Sequence, residues 1–141
     1  MSTTASVIVL LGRIFFVALF VVSSQENIVN HQHYVTLAKG KLPVPYVAGW
    51  PVGAWLIVAI LSAVLGIWPD VGMLMIAAFL VPTTLLFHPY WTFSDLAQRR
   101  THRGGFYRNL SLLGATLALF ALFTVAGPGQ FAITGSFFNL R

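Results

Sequence analysis

A charged residue inside a long apolar segment is the feature that most constrains this fold. The run LLGRIFFVALFVV carries an arginine at position 13 and passes directly into the polar sequence SSQENIVNH. On a helix with about 100° per residue, one stripe holds six side chains of this segment: Arg13, Phe16, Phe20, Ser24, Asn27 and His31. A charge within a bilayer costs at least about 2.5 kcal/mol unless it faces protein or water. We therefore expect the stripe to point into the protein.

The composition is that of an integral membrane protein, with 57% hydrophobic and 8% charged residues and a mean hydropathy of +0.83. The net charge is +5, and the basic residues lie beside the apolar runs, which is typical of charges that set membrane topology. No basic face and no base-recognition motif predicts a nucleic-acid partner. The absence of cysteine excludes iron–sulfur clusters, thiolate nucleophiles and cysteine zinc sites. Any redox role would therefore require a bound cofactor.

The predicted fold is an all-α membrane protein: one domain, residues 1–141, forming an antiparallel bundle of four transmembrane helices. The expected helices cover about 6–30, 51–68, 71–88 and 106–127, followed by an apolar tail at 128–141. The first is a retained helix rather than a cleaved signal, because it lacks a basic segment before its apolar run. Pro51 suits a first helical position. Pro82 predicts a structural kink, in which Thr83 and Thr84 bond to freed carbonyls.

The basic residues predict the orientation. Two long loops, 31–50 and 88–106, share one side of a four-helix arrangement and hold most of the lysines and arginines. They are Lys39, Lys41, Arg99, Arg100, Arg103 and, at the helix start, Arg108. The positive-inside tendency places these loops in the cytoplasm and both termini outside, and we expect a bacterial or archaeal cell membrane.

On the long-loop side, the predicted topology brings together polar and aromatic side chains. They are Glu26, Asn27, His31, His88, Tyr90, Trp91, Arg108 and Asn109. A carboxylate, imidazoles, a guanidinium and aromatic rings at this depth are suited to hold a quinone head group, with His88 or Glu26 relaying protons. Six are the predicted cofactor-binding residues: Glu26, His31, His88, Trp91, Arg108 and Asn109. The alternative is that they are interfacial anchors and helix-end partners. No catalytic residue and no metal site is predicted.

Further expectations concern the partner of Arg13, haem, helix packing and the C-terminal tail. An Arg13–Asp70 ion pair is one possible arrangement, and a backbone carbonyl or a lipid head group is an equally suitable partner for Arg13. His31 and His88 form the one depth-matched pair of axial haem ligands, which is weak evidence for haem. The Gly114/Ala118 face allows close helix approach. The apolar tail is expected to pack on another surface.

The ordered residues resemble the DoxX family of small four-helix membrane proteins over most of residues 8–120. The resemblance rests on Leu11-Gly12-Arg13, Phe20, the Pro43-x-Pro45 element, Phe87-His88 with Trp91, Phe106 with Arg108-Asn109-Leu110, and Leu113-Gly114. Family members typically carry glycine and lysine near positions 24 and 27, where this chain has Ser24 and Asn27. They often carry a glutamate in helix two, which this chain lacks.

The resemblance implies a membrane subunit linked to redox chemistry. The leading hypothesis is a non-catalytic accessory or assembly subunit of a larger membrane redox complex, holding a lipid or a quinone, with membrane lipids and other subunits as partners. The alternative is the quinone-reducing subunit of a thiosulfate:quinone oxidoreductase-like enzyme. A solute carrier is least favoured, because the chain shows no inverted repeat and no charged lumen.

Overall fold

The computed structural model describes residues 1–140, and every regular element within them is helical. The five α-helices are α1 (Thr3–Val29), α2 (His31–Ala38), α3 (Trp50–Leu65), α4 (Pro69–Pro82) and α5 (Leu96–Ala126). Shorter elements are the 3₁₀ turns Pro45–Ala48 and Tyr90–Thr92 and the π-helical turn Thr83–Phe87. An all-α fold was predicted and is confirmed.

Two predicted loops contain helix. The last long helix begins at Leu96, about ten residues before the predicted start, because Asp95 caps it: the carboxylate accepts from the Gln98 N–H at 2.9 Å. Gly104 and Gly105 do not end it, and both are helical. The loop expected at 31–50 contains α2. The predicted boundaries were therefore wrong in both loops; α5 starts at the Asp95 cap, whereas no side chain caps α2.

The helices pack in the order α1, α3, α4, α5, each against the next. Their common core includes nine buried apolar residues: Val17, Phe20, Leu56, Ala59, Ala63, Met73, Ile76, Leu80 and Phe123. The α1–α3 contact is close at Gly53, whose carbonyl accepts from the buried Ser24 hydroxyl at 3.0 Å. Ser24 belongs to the polar stripe of α1, of which Arg13, Phe20 and Asn27 are also buried. The inward orientation predicted for this stripe is confirmed.

Three helical segments are long and apolar enough to cross a membrane: Thr3–Val29, Pro69–Thr92 and Leu96–Ala126. These segments are compatible with an integral membrane protein. α3 is apolar but has only 16 residues, below the roughly 20 that a perpendicular span requires. It ends three residues earlier than predicted because Gly66 adopts a left-handed conformation at φ 67°.

The proline in the third predicted helix has the expected consequence. Pro82 ends the regular α4 ladder, and a π-helical turn follows at once. The hydroxyls of Thr83 and Thr84 donate to the carbonyls of Phe79 and Leu80, at 2.7 and 2.6 Å. The threonines therefore bond to carbonyls next to the break, whereas the carbonyl that Pro82 itself leaves without its i+4 donor is that of Ala78.

The C-terminal tail, here defined as residues 128–140, packs on the protein's own helices. Its backbone pairs with the α3–α4 turn, where the Ile133 and Thr134 N–H groups donate to the carbonyls of Leu65 and Gly66 at 3.1 and 3.0 Å. The Trp68 N–H, in turn, donates to the Thr134 hydroxyl at 2.9 Å. The expectation that the tail packs on a surface is confirmed, and that surface lies within the same chain.

The tail also provides partners for the two buried charges. Asp70 is fully buried, and its carboxylate oxygens accept from the N–H groups of Phe137 and Phe138, at 3.0 and 2.7 Å. Arg13 is fully buried as well, and its Nη2 donates to the Phe131 carbonyl at 2.9 Å. The Arg13–Asp70 ion pair is therefore not formed, and the backbone-carbonyl alternative is the one observed. Both charged groups use the tail backbone, which the sequence did not locate.

Candidate functional site

A cleft of about 670 Å³ opens at the end of the molecule where α1 meets α2 and α4 meets α5. Its walls are mainly apolar and come from several elements. The apolar lining residues are Leu19, Val22, Leu37, Leu42, Val47, Ala48, Val52, Trp55, Ala78, Phe79, Pro82 and Phe87. A cleft of this size and character is typical of a site for a small amphipathic molecule.

Polar side chains occupy one part of the lining. They are Ser23, Glu26, Asn27, Tyr34, Lys41, Thr83, His88, His102 and Arg108. Lys41, Arg108 and the two imidazoles can supply hydrogen-bond donors, whereas Glu26 is the one acidic side chain in this lining. The polar part of the cleft therefore favours a ligand that presents oxygen acceptors or negative charge.

Of the six predicted cofactor-binding residues, the structure brings three to this cleft: Glu26, His88 and Arg108. The other three lie outside its lining. Trp91 is 53% exposed and packs against Tyr90 and Phe106, with ring centroids 5.3 and 5.7 Å apart. Asn109 is buried on α5.

His31 holds the start of α3. Its Nδ1 accepts from the Trp50 N–H at 3.0 Å, and its ring meets the Tyr46 ring edge-on at 4.7 Å. A Cβ added at Gly49 would lie only 1.7 Å from this Nδ1, so the imidazole needs a glycine there. His31 therefore acts as a capping acceptor for a neighbouring helix. It does not share the cleft with His88, as two axial haem ligands would need to do.

His88 forms a pair with His102. Their Nδ1 atoms are 3.4 Å apart, which allows one hydrogen bond when a single one of the two nitrogens carries a proton. The His102 ring stacks on Phe93 at 4.2 Å with 9° between the planes. Gly105 allows the His88 ring to approach α5, because an added Cβ would lie 2.6 Å from Nδ1. The two rings are thus fixed from both sides and can share or pass one proton.

Two cations, Lys41 and Arg108, and one acidic residue, Glu26, line the cleft together with this pair. The Lys41 ammonium lies 4.8 Å from the ring centroid of Phe87, the residue that precedes His88 in the sequence. The Glu26 carboxylate accepts from the Asn30 amide at 2.7 Å, on the α1 side. Near it, burial and the Glu26 charge raise the pKa of the Tyr34 phenol, so this group remains a neutral donor at physiological pH.

Sequence reasoning missed Tyr34, Lys41 and His102 as lining residues. Tyr34 and Leu37 share a face of α2, which lies within the predicted 31–50 loop. His102 reaches the cleft because α5 is already helical at that position. The cap at Asp95 was the available signal for His102, because a helix from residue 96 puts residues 102, 105 and 109 on one face. The described residues contain no group of three or more side chains that could hold a metal ion.

Comparisons with known proteins gave no match to a family model, to a curated protein or to a solved structure.

Proposed function

We propose that this protein is a non-catalytic accessory or assembly subunit of a membrane redox complex, and that its cleft holds the head group of a quinone. A lipid is the other candidate occupant. The observation that carries the binding assignment is the apolar cleft of about 670 Å³ with His88, His102 and Lys41 in its lining. The redox assignment is supported by the DoxX resemblance.

The cleft matches the chemistry of a quinone. A quinone head group has two carbonyl oxygens, which accept hydrogen bonds, and an apolar ring with an isoprenoid chain. Lys41, Arg108 and one protonated nitrogen of the histidine pair are available donors. The walls contributed by Trp55, Phe79 and the neighbouring aliphatic residues suit the ring and the first part of the chain.

Binding can be tested with matched pairs of variants. In detergent or nanodiscs, His88→Ala and Lys41→Ala should each weaken binding of a short-chain ubiquinone about tenfold, the equivalent of one lost charged or polar contact. His33→Ala and Lys39→Ala are the controls, because these exposed residues lie near the cleft but do not line it. Equal effects in both pairs, or no binding by the wild type, would contradict a quinone site here.

Assembly requires a different test. The tail presents exposed apolar side chains, with Ile133 68% and Leu140 61% exposed, although its backbone is paired with the helices. Deleting 129–141 should weaken co-purification with a partner subunit, but the deletion would also remove the partners of Asp70 and Arg13. The double variant Ile133→Ser/Leu140→Ser keeps those bonds and should still reduce co-purification from native membranes. Unchanged co-purification would show that the tail does not mediate assembly.

One feature favours catalysis as a second candidate. Reduction of a quinone to a quinol takes two electrons and two protons, and the His88–His102 pair is placed to deliver protons to a head group in the cleft. In a thiosulfate:quinone oxidoreductase-like enzyme, the partner subunit would supply the electrons. His102→Ala should then lower the reduction rate of the assembled complex more than it lowers quinone binding. For an accessory subunit, both would change together or the rate would not change at all.

A further inference from the structure

A second hollow, of about 360 Å³, lies against the first turns of α5, away from the quinone cleft. It is lined by Tyr90, Leu96, Arg99, Arg100 and Arg103. The three arginines are exposed and fall within about 100° of one helix face. We call these five residues the arginine hollow.

The positive charge of this hollow is not neutralised within the described part of the chain. No ion pair joins Arg99, Arg100 or Arg103 to an acidic side chain there. Asp95 is the acidic residue nearest in sequence, and its carboxylate is used to cap α5. Three guanidinium groups next to each other repel, and an anion between them would relieve that repulsion.

The position along α5 indicates where that anion comes from. The helix starts with the charged segment LAQRRTHR and carries no charged residue after Arg108, so the hollow lies at the end of a segment long and apolar enough to cross a membrane. Two exposed aromatic side chains, of a kind that favours the head-group layer, contact Tyr90 of the hollow: the ring centroids of Trp91 and Tyr107 lie 5.3 and 6.2 Å from that of Tyr90. Leu96, which is 61% exposed, adds an apolar edge next to the cations.

We propose that the arginine hollow binds the phosphate of an anionic phospholipid. Arginine forks match phosphate oxygens in bidentate geometry, and Leu96 and Tyr90 of the hollow offer apolar surface for the glycerol and first acyl carbons. Basic pockets on transmembrane helices near the head-group layer are suited to such lipids. This site uses none of the residues of the quinone cleft.

The test compares lipid retention by native mass spectrometry after transfer from nanodiscs of phosphatidylglycerol and phosphatidylcholine. The wild type should retain phosphatidylglycerol preferentially. Arg99→Gln/Arg103→Gln should reduce this preference by about 25-fold, the product of about fivefold for each charge. The matched control Lys39→Gln, an exposed cation outside the hollow, should change it less than about twofold. The proposal would be overturned if the wild type showed no preference for phosphatidylglycerol. It would also be overturned if the double arginine variant and Lys39→Gln changed that preference equally.

Two further measurements cover a folding defect and a competing ligand. Raising the salt concentration should weaken phosphatidylglycerol retention by the unmodified protein more than phosphatidylcholine retention, since only phosphatidylglycerol carries a net negative charge. Added inorganic phosphate should not displace the lipid at concentrations comparable to the lipid, because phosphate lacks the acyl contacts. Salt-independent retention, or complete displacement by phosphate, would contradict a phospholipid site.

Discussion

Removal of the Asp70 carboxylate should release the C-terminal tail. In Asp70→Ala, the N–H groups of Phe137 and Phe138 lose hydrogen bonds of 3.0 and 2.7 Å to a charged acceptor. Each such bond contributes about 1.5–3 kcal/mol, so the pair contributes about 3–6 kcal/mol. Because release of the tail lets both N–H groups bond to water, we expect the lower end, about 3 kcal/mol. The undocked fraction should rise about 100-fold.

The chain contains no cysteine, so a single introduced thiol reports on the tail without background. Gly135→Cys suits a spin label, because an added Cβ there meets no atom within 4 Å. The label should be restrained in the wild-type background and mobile with Asp70→Ala. The matched control is Asp95→Ala, which also removes a carboxylate from a helix start but has no tail contact. Identical label mobility in the Asp70→Ala and Asp95→Ala proteins would refute this account of the tail.

Further predictions concern the α1–α3 contact and the start of α3. Gly53→Ala should lower the melting temperature, because an added Cβ would lie 2.9 Å from the Ser24 carbonyl oxygen. Gly114→Ala should leave the melting temperature unchanged or raise it, because an added Cβ there meets no atom within 4 Å and alanine favours helix more than glycine does. Equal melting temperatures in the two variants would contradict the close approach. His31→Ala should lower the free energy of unfolding, measured by denaturation, by about 1 kcal/mol, because the Trp50 N–H loses its acceptor. An unchanged free energy of unfolding would show that water replaces this bond.

The sequence predicted the helical class and the inward stripe because both follow from local spacing. Arg13, Ser24 and Asn27 recur at helical period within an apolar run, and all three are buried. The proline break at Pro82 with its threonine partners was predictable for the same reason, since both features involve residues within one turn. Periodicity and backbone chemistry are therefore sufficient for these elements.

Long-range pairing was not predictable in the same way. The partners of Asp70 and Arg13 are backbone groups more than 60 positions away, at Phe137, Phe138 and Phe131, and backbone groups carry no residue-specific signal. Half of the predicted cofactor-binding set lines the cleft, because chain topology indicates which helix ends meet but not which faces turn inward.

The two loops that contain helix account for the missed lining residues. Tyr34 lies on α2, and His102 lies on the part of α5 that falls within the predicted 88–106 loop. Polar composition favoured loop in both places, whereas the Asp95 cap starts α5 early, and α2 forms next to α3, whose first N–H bonds to His31.

Photolabelling with mapped adducts tests most directly the proposal that the cleft binds a quinone. A ubiquinone analogue with a photoreactive group on its ring should modify cleft residues such as Trp55, Phe79 or Phe87. An excess of unmodified ubiquinone should abolish this labelling. Adducts confined to exposed positions outside the cleft, such as Phe15, which is 75% exposed, and insensitive to competition would contradict quinone binding in the cleft.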